Sequence, residues 1–313
     1  MNVLVIGTGA VGSFYGSLLA QQGVHVSVVA RTDYEQVRQH GIHLESQLGN
    51  YHFVPKHVLR QAAELTEKPS YALLCVKVVE QTNRVGLLKG ALGPNTSIVL
   101  ISNGIDIEEE IARAFPDNEL ISGLAFICVT RTAPGTIWHQ AYGRLALGNY
   151  PRGLSEKTRV LCALFEKAGI NCTATEDITT ARWQKCVWNA AFNPLSVLSG
   201  GLGTNEILSA QEPLVRAIME EICAVAKAMG HALPADIVDR NVETTCRMPP
   251  YKTSMLLDFE TGRPMETEAI LGNAVRAGRN GSVPIPHLEC IYALMKLREL
   301  RLALAHEGNR TCL

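Results

Sequence analysis

The chain has 313 residues, of which 47% are hydrophobic and 19% charged, and its formal net charge is −1. This length predicts two domains, and the near-zero charge excludes a global electrostatic attraction to nucleic acid or to an anionic membrane. No apolar run approaches the ~20 residues that cross a bilayer. We therefore expect a compact protein with no nucleic-acid partner and no membrane partner.

The N-terminal stretch and the cysteines indicate the compartment. "MNVLVIG" has no basic leader and no cleavage site, so we expect no secretory signal. The nine cysteines are scattered without a CxxC pair, and the nine histidines do not cluster into a ligand set. This pattern favours reduced thiols in a cytoplasmic protein over disulfides or a metal site.

The first half of the chain alternates short apolar runs with amphipathic segments. Continuous apolar strands with helices between them are typical of a parallel sheet that is covered on both faces. The predicted strands are 2–7, 25–30, 71–77, 97–102 and 118–122, and the predicted helices are 11–22, 33–40, 79–90 and 105–114. Two further runs, at 135–140 and 143–149, are expected to form a terminal hairpin.

The pattern changes after about residue 174. From there helical periods dominate to the C-terminus, and prolines interrupt them. We therefore predict an α/β protein with two domains. A Rossmann-type, doubly wound parallel-sheet domain would span residues 1–174, and an all-helical domain would span residues 175–313.

The strongest motif is "GTGAVG", which lies between the first predicted strand and the first predicted helix. Gly7 allows a tight turn, Gly9 lets the backbone approach a pyrophosphate, and Gly12 permits close packing of helix on strand. The amide groups at the start of a helix also attract an anion. The alternative is a glycine-rich turn without a ligand. The predicted dinucleotide site consists of Gly7, Thr8, Gly9, Ala10, Val11 and Gly12.

The residue that follows the second strand indicates which dinucleotide binds. Folds that prefer NAD place Asp or Glu there, whereas this chain has Arg31. A guanidinium suits a 2′-phosphate through charge-assisted hydrogen bonds, so NADPH is favoured over NADH. Asp33, two residues later, is expected to cap the next helix. The alternative is that Arg31 is only a surface cation.

Two later strand ends also carry polar residues. Lys77 closes the third strand, and Asn103 with Gly104 follows the fourth. Ligands of doubly wound sheets lie beyond the carboxyl ends of the strands. Lys77 is therefore a candidate for contact with the cofactor, and Asn103 for a place near the nicotinamide. The alternatives are a loop lysine and an ordinary Asn-Gly turn.

The segment "WQKCVWNAAFNPL", residues 183–195, is a largely apolar helix with one narrow polar file. Lys185, Asn189 and Asn193 recur every fourth residue and so share one face. Lys185 is a candidate proton donor, because partial desolvation lowers the pKa of an ammonium group. The two carboxamides would orient a carboxylate or hydroxyl of a substrate. The alternative is a polar seam between helices.

A second segment of interest is "TSMLLDFETGRPMETEAILG", residues 253–272. It places Ser254 and Asp258 one helical turn apart, and Glu266 and Glu268 at the start of a later helix. Carboxylates in a first helical turn commonly interact with the helix dipole. By itself this segment therefore does not indicate a site.

Together these motifs resemble the ketopantoate reductases (2-dehydropantoate 2-reductases), and the resemblance covers essentially the whole chain. Its specific part is the Lys-x3-Asn-x3-Asn-Pro-Leu pattern on the first helix of the second domain. "GTGAVG", "SNG" at 102–104 and "TSMLLD" also match. The resemblance implies that Lys185 donates a proton and that Asn189, Asn193 and Ser254 bind the substrate.

The resemblance also implies the remaining roles. Asn103 would contact both cofactor and substrate, Arg31 and Lys77 would bind phosphates of NADPH, and Glu266 would lie at the junction of cofactor and active site. The implied function is NADPH-dependent reduction of ketopantoate to pantoate in pantothenate biosynthesis, with a homodimer left open. A small hinge near 174–176 would close the enzyme over its substrate.

Two alternatives stay open from the sequence. One is a reductase of the same construction that acts on another small 2-oxo acid or on an imine. The other is a non-catalytic NADP-binding sensor. The set of Lys185, Asn189, Asn193, Ser254 and Glu266 is intact, which argues against a sensor, because a sensor would not need all five.

Overall fold

A computed structural model describes residues 1–249 and 251–310 of the chain, the last six of these by backbone alone. The chain divides into two compact units. The first consists of Met1–Asn103 and Ile107–Ile178, and the second consists of Gly104–Asp106 and the chain from Thr179 onward. This division lies close to the predicted boundary after residue 174. The short segment Gly104–Asp106 belongs with the second unit, which no pattern in the sequence indicated.

The first unit is built on a 10-stranded sheet. Its strands are β1 (Asn2–Ile6), β2 (His25–Val29), β3 (Ile42–Ser46), β4 (Tyr51–Phe53), β5 (Val58–Leu59), β6 (Tyr71–Leu74), β7 (Ser97–Ile101), β8 (Leu120–Ala133), β9 (Thr136–Asn149) and β10 (Cys172–Ala174). Nine strands follow the order β4-β3-β9-β8-β7-β6-β1-β2-β5, and β10 pairs with β9. The pairs β3–β4 and β8–β9 are antiparallel, whereas the row from β8 through β7, β6, β1 and β2 to β5 is parallel throughout.

Helices cover both faces of this sheet. Along β1, Val3 and Val5 pack into the core on one face, while Leu4 and Ile6 pack into the core on the other. Successive side chains of a strand point to opposite faces, so a strand that is buried on both sides needs an unbroken apolar run. The doubly wound architecture is thereby confirmed. The helices of this unit are α1 (Ala10–Gln21), α2 (Tyr34–His40), α3 (Arg84–Leu88), α4 (Glu109–Ala114) and α5 (Glu156–Lys167).

One local prediction for this unit was wrong, and two helices are shorter than predicted. The runs 135–140 and 143–149 do not form a hairpin with each other; they are parts of the single strand β9, which pairs antiparallel with β8. The helix predicted over 79–90 is the short α3, because the side chain of Asn83 accepts a hydrogen bond from the amide of Gly86 and starts the helix there. The helix predicted over 105–114 is only α4, Glu109–Ala114.

The second unit is all-helical in its described residues, as predicted. Its core joins Val187 and Phe192 to Ile218, Leu271 and Leu288, all fully buried. None of the helices among the described residues has the length and apolar character needed to traverse a bilayer. Its helices are α6 (Ile178–Leu198), α7 (Thr204–Ala228), α8 (Ile237–Arg247), α9 (Ser254–Glu260), the π-turn (Glu268–Gly272), α10 (Asn273–Asn280) and α11 (Pro286–Arg310).

Candidate active site

The candidate cofactor residues of the first unit meet at one edge of the sheet. β1 lies between β2 and β6, and the chain reaches β2 first and β6 later, so the strand order reverses at β1. The paired residues Ile6 and Leu74 show that β1 and β6 end at the same level. Ligands of open α/β sheets bind at such a reversal, beyond the carboxyl ends of the strands.

The three glycines after β1 differ in what surrounds them. Gly7 has a φ of +104°, a region that favours glycine, and an added Cβ would lie 3.0 Å from the side chain of Val76. An added Cβ on Gly12 would run into the carbonyl oxygen of Gly7, so only glycine lets α1 pack this closely. An added Cβ on Gly9 would meet nothing within 4 Å. The backbone at Gly9 is therefore open to a ligand at the start of α1, which fits a pyrophosphate.

Asp33 is hydrogen-bonded to the glycine-rich loop. It occupies the N-cap position of α2, but its side chain does not cap the helix, so the expected cap is wrong. Its Oδ1 instead accepts a hydrogen bond of 2.8 Å from the hydroxyl of Thr8. Its Oδ2 forms no hydrogen bond within the described residues and lies 3.5 Å from Nη1 of Arg131. The buried carboxylate thus holds Thr8 in place, and Arg131 offsets its charge.

The other predicted cofactor residues follow the neighbouring strands. Arg31 is exposed after β2. Lys77 is half-buried in the irregular segment after β6, and Asn103 is half-buried after β7. The hydroxyl of Ser102 donates a 2.9 Å hydrogen bond to the carbonyl of Val76, which ties the ends of β6 and β7 together. The structure therefore places these candidates at the carboxyl edge of the sheet, and their roles stay predictions.

In the second unit, α6 carries the predicted polar file. Lys185 is half-buried, whereas Asn189 and Asn193 are buried, with 8% and 2% of their surface exposed. Within the described residues, neither of these two carboxamides forms a side-chain hydrogen bond. Their amide atoms are accessible to solvent, because neither side chain has a polar atom that is both fully buried and unpaired. Two aligned carboxamides with unused donors and acceptors are suited to bind a small polar ligand beside Lys185.

Ser254 lies near the C-terminal end of α6, because its neighbour Thr253 contacts Ser196 there. The hydroxyls of Ser196 and Thr253 lie 2.7 Å apart, and Ser196 also donates to the carbonyl of Asn193 over 2.8 Å. Thr253 caps α9 by accepting a 3.2 Å hydrogen bond from the amide of Leu256. Ser254 is the first residue of α9 and is exposed. These contacts bring Ser254 to the Asn193 end of the polar file.

Glu266 is buried and lies two residues before the π-turn. The π-turn is fixed by Glu268, whose Oε1 accepts hydrogen bonds from the hydroxyl of Tyr292 at 2.7 Å and from Nζ of Lys296 at 3.0 Å. Its Oε2 accepts one from Arg276 at 2.9 Å. Burial raises the pKa of Glu268, but these three hydrogen bonds outweigh it and lower the pKa to about 2. Glu268 is therefore a structural carboxylate that anchors the turn.

The segment Gly104–Asp106 forms a strap on this unit. Gly104 has a φ of +105°, and an added Cβ would lie 2.7 Å from Cβ of Ala269. The amide of Ile105 donates a 3.1 Å hydrogen bond to the carbonyl of Ala269 in the π-turn. Two side chains hold the carbonyls of the strap: Arg182 donates to that of Gly104 over 3.0 Å, and Asn273 to that of Ile105 over 2.6 Å. The residue before the strap is Asn103.

Sequence reasoning missed Arg182 and Asn273. Arg182 lies on α6, three residues before Lys185, and is fully buried. Within "TARWQK" it is typical of a surface cation, and no local pattern indicates that it donates a hydrogen bond to a carbonyl distant in sequence. Gly104 did offer a signal, because an Asn-Gly pair at a strand end often requires a positive φ. Among the described residues, no group of three or more His, Cys, Asp or Glu side chains is placed to hold a metal ion.

Three kinds of comparison with known proteins agree on one family. Models described as "Ketopantoate reductase PanE/ApbA" and "Ketopantoate reductase PanE/ApbA C terminal" match residues 3–152 and 177–299. A 2-dehydropantoate 2-reductase of Nostoc sp. is 32% identical over 304 residues, which cover 95% of each chain. The crystal structure of 2-dehydropantoate 2-reductase from Methylococcus capsulatus is 70% identical, with a TM-score of 0.93, over 96% of this chain and 98% of that one.

More distant structures share the fold. A ternary structure of D-mandelate dehydrogenase with NADH and anilino(oxo)acetate has a TM-score of 0.87 at 21% identity, over 97% of this chain and 100% of that one. A dimeric ketopantoate reductase from Staphylococcus aureus has a TM-score of 0.78 at 21% identity, over 96% and 100%. The family predicted from the motifs is confirmed: the chain belongs to the ketopantoate reductases, a family of NAD(P)H-dependent oxidoreductases.

Proposed function

We propose that the chain reduces ketopantoate to pantoate with NADPH as the hydride donor. The observation that carries this proposal is the polar file of α6, where two buried carboxamides without side-chain hydrogen bonds in the described residues follow Lys185 at one-turn intervals. A 2-oxo acid offers a keto oxygen, a carboxylate and, in ketopantoate, a hydroxyl. A lysine and two carboxamides supply donors for all three.

The first unit would hold the cofactor. The amides at the start of α1 and the open backbone at Gly9 would take the pyrophosphate, and Arg31 would pair with the 2′-phosphate. Lys77 would contact a phosphate, while Asn103 and Glu266 would lie near the reacting end. When bound, the reduced nicotinamide supplies the hydride. The choice of NADPH over NADH rests on Arg31 and is part of the proposal.

Lys185 would polarise the keto group and then protonate the oxygen. Its ammonium donates a hydrogen bond to the keto oxygen and strengthens that bond as negative charge builds there. Transfer of its proton to the oxygen yields the hydroxyl of the product, so a neutral lysine remains and is reprotonated from water. Asn189, Asn193 and Ser254 would hold the carboxylate and hydroxyl ends so that the keto carbon faces the hydride donor.

The test follows NADPH absorbance with a panel of 2-oxo acids: ketopantoate, its analogue without the hydroxyl, and benzoylformate, which represents an aryl 2-oxo acid. The proposal expects the highest kcat/KM for ketopantoate. A clear preference for another member would establish the rival reductase. Binding of NADPH without turnover of any member would establish the non-catalytic sensor. A cytoplasmic location fits the eight free cysteines of the described residues and stays a prediction.

A further inference from the structure

The first unit carries an acidic side chain close to the residue that is proposed to bind the 2′-phosphate of NADPH. Asp33 follows Arg31 by two residues, and it accepts a 2.8 Å hydrogen bond from the hydroxyl of Thr8 in the glycine-rich loop. In doubly wound folds, an acidic residue near the end of the second strand binds the ribose 2′-hydroxyl of NAD, whereas an arginine there accommodates the 2′-phosphate of NADP. This chain has both residues, and they favour opposite cofactors.

The carboxylate of Asp33 is not a solvated surface charge. Only 2% of its side chain is exposed, and its Oδ2 forms no hydrogen bond within the described residues. Solvent and salt screen a buried charge much less than an exposed one. Without a compensating cation, Asp33 would therefore repel a phosphate at Arg31 and favour NADH.

Arg131 places a cation beside this carboxylate. Its Nη1 lies 3.5 Å from Oδ2 of Asp33, and 39% of its side chain is exposed. No hydrogen bond joins Arg131 to that oxygen. Arg131 therefore acts on Asp33 through its charge rather than through a fixed bidentate pair.

The fold brings Arg131 to Asp33 from a distant part of the chain. Arg131 lies two residues before the end of β8. In the turn that follows, Gly135 packs closely on α2, since an added Cβ would lie 3.2 Å from Cγ of Gln36, and its carbonyl accepts a 2.8 Å hydrogen bond from the amide of His43 in β3. Asp33 is the residue before α2, so the packed turn keeps Arg131 next to it.

We propose that Arg131 is a specificity-determining residue for the cofactor, which neutralises the carboxylate of Asp33 and thereby allows the 2′-phosphate of NADPH to bind at Arg31. This inference deepens the proposed function and rests on its choice of NADPH. Asp33 then serves the glycine-rich loop through its hydrogen bond to Thr8. Arg131 cancels the preference for NADH that the same carboxylate would otherwise impose.

The first experiment measures the Kd of NADPH and of NADH by fluorescence titration. Like charges several ångströms apart near a protein surface change a dissociation constant by about ten- to a hundredfold. We expect Arg131→Met to weaken NADPH binding by about that factor and to leave NADH binding nearly unchanged. Arg131→Lys keeps the charge and should keep the preference for NADPH. An unchanged preference in Arg131→Met overturns the proposal.

The second experiment asks whether Arg131 acts by neutralising Asp33. Asp33→Asn removes the charge and keeps an oxygen that accepts the hydrogen bond from Thr8. The double variant Asp33→Asn with Arg131→Met has the same net charge as the parent chain, so it should recover most of the NADPH affinity that Arg131→Met loses. If the double variant binds NADPH as weakly as Arg131→Met alone, Asp33 is not the group that Arg131 neutralises, and the proposal is wrong.

The matched control is Arg38→Met. Arg38 lies 3.6 Å from Glu35, and both of these side chains are 59% exposed. Its removal takes one positive charge from α2 but leaves no buried carboxylate without a cation, so the binding of both cofactors should stay that of the parent chain. Urea unfolding of every variant shows that it is folded.

The last measurement isolates the phosphate from the rest of the cofactor. Calorimetric titration with adenosine 2′,5′-bisphosphate and with 5′-AMP compares two ligands that lack nicotinamide and differ by the 2′-phosphate. Arg131→Met should weaken only the bisphosphate, and equal losses for the two ligands overturn the proposal. A parent chain that binds NADH as tightly as NADPH refutes the proposed cofactor and this inference with it. A parent that prefers NADPH, with the same preference in Arg131→Met, refutes the role of Arg131 alone.

Discussion

At the scale of single residues, the proposed choice of NADPH over NADH rests on Arg31. It is an exposed guanidinium two residues after the end of β2, and of the two candidate cofactors only NADPH carries a 2′-phosphate. We expect Arg31→Ala to weaken NADPH binding by about ten- to a hundredfold, since a hydrogen bond to a charged group contributes about 1.5–3 kcal/mol. NADH binding should hardly change. Fluorescence titration with both cofactors measures the difference.

The matched control for this change is Arg38→Ala. Arg38 is an exposed arginine in the last turn of α2, 3.6 Å from Glu35. An exposed ion pair of this kind contributes little, so both cofactors should bind the control as they bind the parent chain. If Arg31→Ala lowers the two affinities equally, Arg31 does not recognise the phosphate.

Lys185 is the residue on which turnover should depend. We expect Lys185→Ala to lower kcat by about 10²–10⁴-fold, the usual contribution of a positioned general acid, while NADPH affinity stays within a factor of a few. Lys185→Arg should restore little, because a guanidinium keeps the charge but is a far weaker acid. Steady-state kinetics and NADPH titration on the same preparations separate the two effects.

A structural role for Lys185 would give a different pattern. In a polar seam, the alanine variant would lose stability and keep its kcat. Lys227→Ala, an exposed lysine in the last turn of α7, controls for the loss of one positive charge from the same unit. Normal turnover in a well-folded Lys185→Ala enzyme would exclude the catalytic assignment.

At the scale of elements, the strap Gly104–Asp106 requires glycine at its first position. Gly104→Ala has to adopt a positive φ, at about 1–2 kcal/mol, and also places its Cβ 2.7 Å from Cβ of Ala269. Overpacking of this kind costs about 1–3 kcal/mol more. Because Asn103 is the preceding residue, we expect the variant to lose both stability and kcat. Urea unfolding and kinetics give the two values.

Gly169→Ala is the control for backbone strain alone. Gly169 has a φ of +89°, and nothing lies within 4 Å of an added Cβ. It should therefore lose only the 1–2 kcal/mol of the positive φ and keep its kcat. Equal losses of stability in the two variants would show that Ala269 moves aside and that the strap is loosely held.

The anchor of the π-turn predicts a pH dependence. The pKa of Glu268 is lowered from 4.5 to about 2, so its stabilising contribution is complete above about pH 4.5 and is lost as the pH falls toward 2. Glu268→Gln should be less stable than the parent at pH 7 by about 1–3 kcal/mol. The difference should narrow only below pH 4.5. Urea unfolding at several pH values measures it.

Glu289→Gln serves as the comparison for Glu268→Gln. Glu289 pairs with Arg279 at 2.8 Å, and both side chains are largely exposed. Such pairs contribute about 0–1 kcal/mol, so this variant should match the parent at pH 7. A constant difference between Glu268→Gln and the parent from pH 7 down to pH 3 would mean that the charge of Glu268 is not what stabilises the turn.

These elements show what the sequence can predict. Apolar runs predicted β1, β2, β6 and β7, and helical periods predicted the second half of the chain, because both patterns depend only on residues that are close in sequence. These patterns missed β3, whose alternating "IHLES" is short and half-exposed, and they divided β9 at Gly143, a residue of positive φ within one continuous strand. The motifs supplied the candidate site residues. Arg182 and Asn273 were not predicted because they donate to backbone carbonyls that are distant in sequence. Every residue has a backbone carbonyl, so no residue type identifies such a partner.

At the scale of the whole molecule, the chain passes from the first unit into the second at Gly104–Asp106 and then returns. Ile105 of the strap is buried in the core of the second unit, while β7 and α4 on either side of it belong to the first. Unfolding of the first unit therefore disturbs the residues on either side of the strap, and unfolding of the second unit removes the core in which Ile105 is buried. We expect thermal unfolding to be one cooperative transition.

NADPH should move that single transition as a whole. A ligand at a hundred times its Kd stabilises the folded state by about 2.7 kcal/mol, which raises the Tm by several degrees in a protein of this size. Lys185→Ala should keep the full shift, since the candidate phosphate sites lie on the first unit, and Arg31→Ala should lose part of it with NADPH but not with NADH. Calorimetry that resolves two transitions, of which NADPH moves only one, would show that the strap does not couple the units.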